Sequence, residues 1–308
     1  LQIYKKLFSV TFEEEADIIA PLAEIAQEAT GSMGDDTPMP VLSSKNRSIY
    51  DYFRQQFAQV TNPPIDSLRE ASVMSLEVCI GKERNLFEES SKHADRLVLS
   101  SPVLDRQTYE AILSSKYKKY PHDLININYD NSIDLEEAIN TICDRVTRSV
   151  KKGNITIVLS DKKINKNQLT IPAPMAVGAV HHKLINIGLR CDTNLIIETG
   201  SVRNPHHFAV LLGYGATAIY PYLAFEILNE MVAKKKLTIQ KYSESVKNYT
   251  NGINKGILKI MSKMGISCVS SYRGAQLFEI VGLDDNIVNL CFKDTISRVS
   301  GARFKDIE

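Results

Sequence analysis

The sequence predicts an α/β protein: parallel βα units, barrel-related, behind a mostly helical N-terminal region. Two observations carry this. From about residue 120, apolar runs of strand length alternate with helical stretches, and strand-helix repetition implies parallel strands joined by crossovers. Before that point, the apolar positions recur with helical rather than alternating period. The 308 residues suffice for one large α/β domain or two smaller ones, and with 44% apolar and 24% charged residues the composition is that of a packed globular chain.

In the first region, 1–117, Phe12 to Ala29 reads as a helix with glutamates at its start, where they suit the helix dipole. The loop from Gly31 to Pro38, GSMGDDTP, interrupts it. Tyr52, Phe53, Phe57 and Val60 form a helical-period set over 49–60, stopped by Pro63-Pro64. Asp66 is placed to cap a further helix to about Cys79, with Leu68, Val73, Leu76 and Ile80 inward. A Lys-, Ser- and Tyr-rich stretch from Ser114 to Pro121 reads as the linker to the second region, 118–308.

There the predicted strands are 124–129, 155–159, 195–198 and 216–220, with short candidates at 267–269 and 278–281. The predicted helices are 135–151, closed by Gly153, then 172–187, closed by Gly188, and 205–212, 223–232 and 239–264. A barrel and an open doubly wound sheet are both compatible with this order. Either would place ligands at the carboxyl ends of the strands.

Charge and cysteine usage exclude several function classes. With 37 basic and 36 acidic residues there is no global attraction for nucleic acid or an anionic membrane. Five scattered cysteines contain no C-x-x-C pair, so no zinc ribbon or cluster-binding run is written; buried free thiols in a reducing, cytoplasmic compartment are expected. The uncharged run Phe208 to Phe225 is broken by Gly213, Gly215 and Pro221, which suits a buried turn-strand-helix better than a membrane span. The chain opens on Leu1, consistent with a segment of a longer polypeptide.

One cluster suggests chemistry. Glu198, Arg203, His206 and His207 follow a predicted strand end, and a carboxylate, a guanidinium and two imidazoles can bind an anion or move a proton. The plainer reading is a structural Glu198–Arg203 ion pair, with the histidines capping or lining a helix. A metal site would have to combine one of these histidines with His181 or His182. Adjacent helical residues diverge by about 100°, so each pair offers one ligand only. Leu211 to Thr217, LLGYGAT, has its glycines after a helix and before a strand, the reverse of a dinucleotide fingerprint. Arg273, in SYRGAQ, is a further anion candidate.

Specific phrases then matter more than composition. In order they are GSMGDDTP from Gly31, AQVTNPPID from Ala58 followed by Arg69-Glu70, PMAVGAV from Pro174 followed by His181-His182, and Glu198-Thr199-Gly200. HHFAVLLGYGATA follows from His206, then PYLAF from Pro221, GILKIMSKMG from Gly256 and SSYRGAQ from Ser270. This series resembles the central domain of the glutamate synthase large chain over nearly the whole sequence. The family moves the amide nitrogen of glutamine to 2-oxoglutarate, making two glutamates. An amidotransferase domain releases ammonia, which crosses a tunnel to a synthase domain carrying FMN and an iron–sulfur cluster. NADPH, NADH and ferredoxin types share the central domain.

The resemblance implies a non-catalytic connector that joins those two partner domains within one polypeptide and helps wall the tunnel. It implies no cofactor, metal or catalytic residue in this chain and no nucleic-acid or membrane partner. The alternative is a free-standing βα-barrel enzyme acting on an anionic metabolite through Glu198, Arg203 and His207. Asp35, Asp36, Asn62 and Arg69, on polar and proline-rich loops, are the expected interdomain contacts.

Overall fold

A computed structural model describes residues 1–30, 39–44, 47–56, 65–66, 68–69, 71–114 and 119–308. Helix α1 is Gln2–Leu7. The next helix is continuous in three pieces: α2, Phe12–Glu14, a π-helical turn, Glu15–Ile19, and α3, Ala20–Ile25. It begins with a capping box between Thr11 and Glu14 and ends at Ala26 in the left-handed conformation, short of the expected Ala29.

The next two predicted helices are corrected by the structure. Residues Ile49–Tyr52 make a single 3₁₀ turn, and the chain then extends as β1, Phe53–Gln55; Phe57 and Val60 of the expected helix fall outside the described residues. Asp66 does accept hydrogen bonds from the Leu68 and Arg69 amides, at 2.9 and 3.2 Å, but no helix follows among the described residues. Leu68 is 89% exposed, Ala71–Val73 is one 3₁₀ turn, and β2, Val78–Ile80, pairs antiparallel with β3, Leu97–Leu99. Helix α4, Arg106–Leu113, closes this region under an Asp105 cap.

The predicted alternation is then observed. β4 is His122–Asn126, followed by a short β5, Asn128–Asp130, and α5, Leu135–Lys151. β6, Thr156–Ser160, and β7, Gln168–Thr170, lead to α6, Ala173–Asn186. β8, Asn194–Glu198, precedes α7, Pro205–Gly213, and β9, Ala218–Tyr220, precedes α8, Tyr222–Ala233. Helix α9, Tyr242–Met264, ends at Gly265 with φ +69°, the left-handed geometry glycine tolerates. The expected strand at 267–269 is only a bridge, Ser75 to Cys268, before α10, Val269–Tyr272. β10, Phe278–Leu283, α11, Asp285–Cys291, β11, Ile296–Ala302, and α12, Phe304–Ile307, complete the chain.

β4, β6, β8 and β9 form a parallel four-stranded sheet in that order. Sequential order without a reversal is that of successive barrel units; a doubly wound sheet changes direction at a switch point. Among the described residues the sheet stays open. Its β9 edge is extended by Pro102–Leu104, which exchange backbone hydrogen bonds of 2.7 and 2.9 Å with Ile219. β6, β8 and β9 are buried at every position, as parallel strands covered on both faces require. One hydrophobic core runs from Ile19 in the N-terminal helix to Phe292 beyond α11. A second sheet, β1-β10-β11, explains residues 53–55. Their partner is β10, some 220 residues away in sequence, and strand pairing overrides local helical periodicity.

Candidate functional site

The carboxyl ends of β6 and β8 bring two carboxylates together. Glu198 is the last residue of β8, and Asp161 directly follows β6. Ser160 donates its hydroxyl to Glu198 Oε2 at 2.6 Å, and Lys162 Nζ lies 3.2 Å from Oε1. Asp161 accepts from the Thr199 hydroxyl at 2.5 Å and from the Gly200 amide at 3.1 and 3.3 Å. A chain of hydroxyls continues outward, Thr199 to Ser201 at 2.8 Å and Ser201 to Tyr50 at 2.9 Å. Lys162 Nζ also stands over the rings of Tyr220 and Tyr222, 5.7 and 5.4 Å from their centroids, where the π-faces favour its charge.

Burial dominates the electrostatics. Loss of solvent pushes the Asp161 carboxyl up to about 7; the hydroxyl and amide donors offset part of this, and the Glu198 charge adds to it. The hydroxyls of Tyr109 and Tyr222 are buried beside Glu198 and Asp161 without full hydrogen-bond geometry, and burial raises both phenols.

This end of the sheet is covered by the N-terminal segment. The Phe8 ring lies so close to Gly200 that a β-carbon there would sit 2.5 Å from Phe8 Cε2. Arg203, its side chain 5% exposed, donates to Glu14 Oε1 at 2.9 Å and to the Phe8 carbonyl at 3.1 Å. The Tyr4 hydroxyl bonds the Lys162 carbonyl. Glu198 and Arg203 therefore do not form the ion pair expected from their spacing: one is held by Lys162, the other by Glu14.

The two histidines face different surroundings. His207 is buried, stacked on Tyr50 with centroids 4.3 Å apart, and its Nδ1 accepts from the Arg203 amide at 3.3 Å. Burial holds it neutral, lowered well below the ordinary imidazole range, with Arg203 reinforcing the shift. His206 Nε2 is 2.9 Å from the Tyr50 carbonyl. Asn204 caps α7 by accepting the His207 amide at 3.0 Å.

Among the described residues, no three His, Cys, Asp or Glu side chains gather into a metal-sized group. No described helix is long and apolar enough to cross a membrane. Arg273 lies apart from Glu198 and Arg203, at the amino end of β9, where it donates to Thr217 Oγ1 at 3.2 Å. Asp35, Asp36 and Asn62 fall outside the described residues. Arg69 is exposed, 3.4 Å from Asp66.

Sequence reasoning missed Asp161 and Lys162. The available signal was their position just past the β6 carboxyl end, in register with Glu198-Thr199-Gly200 past β8. The three covering aromatics, Tyr4, Phe8 and Tyr50, had no such signal, because they arrive from a distant part of the chain.

Comparison with known proteins gives a consistent result. The glutamate synthase central domain family matches residues 4–284. The chain is 42% identical to glutamate synthase (NADH) of Saccharomyces cerevisiae, over 96% of its own length and 14% of that protein. It is 42% identical to the ferredoxin-dependent glutamate synthase of Pyropia yezoensis, over 96% of its length and 20% of the relative. It is 38% identical to the glutamate synthase (NADPH) large chain of Bacillus subtilis, over 98% of its length and 20% of the relative. The chain thus spans between a seventh and a fifth of the curated relatives it matches. Among solved structures, the flavin-binding domain of baker's yeast flavocytochrome b2 aligns with a TM-score of 0.37 at 15% identity, covering 49% of this chain and 38% of that one.

Proposed function

This chain belongs to the glutamate synthase central domain family, and from that premise we propose that it is a non-catalytic connector within a glutamate synthase polypeptide. In this reading it links a glutamine amidotransferase domain to an FMN- and iron–sulfur-bearing synthase domain and helps wall the ammonia route between them. The parent reaction turns glutamine, 2-oxoglutarate and reductant into two glutamates. The setting is cytoplasmic.

The observation that carries the non-catalytic reading is the covered sheet end. Barrel enzymes seat their substrates at the carboxyl ends of the strands. Here Phe8 occupies the space against Gly200, and Arg203, just past the β8 carboxyl end, is consumed by Glu14 and a backbone carbonyl. The same contacts tie the N-terminal helices to the sheet, giving the stiffness that a fixed route between two remote sites needs.

The connector role is tested in the full-length polypeptide with Arg69→Glu, a reversal of charge on an exposed loop. Glutamate formed per glutamine hydrolysed is expected to fall while free ammonia rises. An unchanged ratio would count against this loop as an interdomain contact. A separate expectation concerns the cofactor: the purified chain, mixed with FMN and desalted, retains no visible flavin absorbance. A stoichiometric flavin band would instead favour an enzyme working at Glu198 and Asp161.

A further inference from the structure

The opposite end of the same sheet holds an open cavity of about 140 Å³. His181, Arg190, Ser270 and Arg273 line it, with Glu83 and Cys191. Arg190 is locked in place by three bonds: Nε to His181 Nδ1 at 2.9 Å, and its terminal nitrogens to the Thr193 and Gly215 carbonyls at 2.7 and 2.9 Å. One N–H on each terminal nitrogen is left over. Arg273 makes a single hydrogen bond among the described residues, to Thr217, and its Nε is buried with no partner. Because His181 Nδ1 accepts from Arg190, its proton resides on Nε2. Burial and the Arg190 charge hold this imidazole neutral, pushed down to about 3.

Among the described residues, neither arginine has a carboxylate within 4.0 Å. Burial disfavours the charge on both guanidinium groups; the Arg273 charge adds to this at Arg190, and the Arg96 charge at Arg273. The opposing charge is Glu83, an exposed side chain that acts on both arginines from the cavity lining. Cationic groups withdrawn from water without a bonded anion are costly, and a guanidinium fork matches the paired oxygens of a carboxylate or phosphate. We propose that this cavity binds a small oxyanion, a phosphate or carboxylate group, between Arg190 and Arg273, with His181 Nε2 and the Ser270 hydroxyl as neutral donors. The site is independent of the connector reading, since it lies at the amino ends of β8 and β9, away from the covered end.

Of the thiols expected to be buried, only Cys143 and Cys291 are; Cys191 is free and exposed in the cavity lining and provides a local readout. In the full-length polypeptide, its alkylation rate by iodoacetamide is followed by peptide mass spectrometry. Inorganic phosphate and succinate are titrated separately against chloride at equal ionic strength. Occupancy slows the reaction saturably, about tenfold at a probe concentration ten times its Kd. Cys268, exposed and outside the cavity lining, reacts at an unchanged rate and reports that the fold is intact. R273M removes the protection, and R273K, which keeps charge but loses the fork, retains part of it. Protection by phosphate alone assigns a phosphate group, and by succinate alone a carboxylate. The proposal is overturned if neither probe slows Cys191 beyond chloride, or if R273M is protected as well as the wild type.

Discussion

Gly178→Ala is expected to destabilise the fold by about 3 kcal/mol, although alanine is by itself the better helix former by about 1 kcal/mol. Gly178 sits in the middle of α6, whose residues Ala173 to His181 are all buried. α6 crosses α11 here at backbone contact. A β-carbon on Gly178 would lie 2.1 Å from the Cys291 carbonyl oxygen, 3.2 Å from its carbon and 3.3 Å from the Phe292 ring. The obstruction is main chain, so no rotamer change relieves it and one helix has to move. Phe292 cannot readily follow, because it is fully buried and packed edge-on to Phe53 and Tyr214, with centroids 4.9 and 4.8 Å away. Urea unfolding followed by circular dichroism measures the effect. A midpoint equal to or above that of the wild type would mean that α6 and α11 are not in such close contact.

The same glycine shows what the sequence could and could not display. PMAVGAV was legible as a helix and as a distinctive phrase, but the need for glycine at 178 comes from Cys291, more than a hundred residues away. Apart from β7, which had no expected strand, and the break between β4 and β5, the β4–α9 region was readable because its elements carry their own signals: apolar strand runs, amphipathic or fully apolar helices, and glycines at helix ends. Residues 49–60 and 66–79 carry mixed signals. Phe53 takes its conformation from pairing with Ile280, and Asp66 caps a turn that does not propagate. At the candidate site, Glu198 and Arg203 were visible as chemistry, whereas their actual partners, Lys162 and Glu14, were not. The Lys162 partnership, across 36 residues, is set by the register of β6 on β8, and the Glu14 partnership, across 189, by how the N-terminal helix docks on the sheet. Arg190 went unnoticed because it stands alone in its loop; only the fold sets it beside Arg273.

Asp161→Asn is expected to gain on the wild type as pH rises, by about 2–3 kcal/mol between pH 5 and pH 8. Asp161 is 1% exposed, and its carboxyl is pushed up to about 7 against an unfolded value of about 3.9. A group that holds its proton more tightly when folded makes stability fall as pH rises. The folded state is favoured below about pH 4, and that advantage is lost through the window up to about 7. Above it the protein carries a buried charge beside Glu198. Asparagine keeps the geometry without the charge: its oxygen accepts from the Gly200 amide, and its nitrogen donates to Thr199, whose hydroxyl turns to Ser201, 2.8 Å away. Unfolding both proteins in urea at pH 5 and pH 8 isolates this group, because the other titrations are common to both and cancel to first order. If the stability difference between variant and wild type is the same at the two pH values, Asp161 titrates alike in the folded and unfolded chain. The carboxyl end of β6 would then be better solvated than the cover of Phe8, Tyr50 and Tyr222 implies.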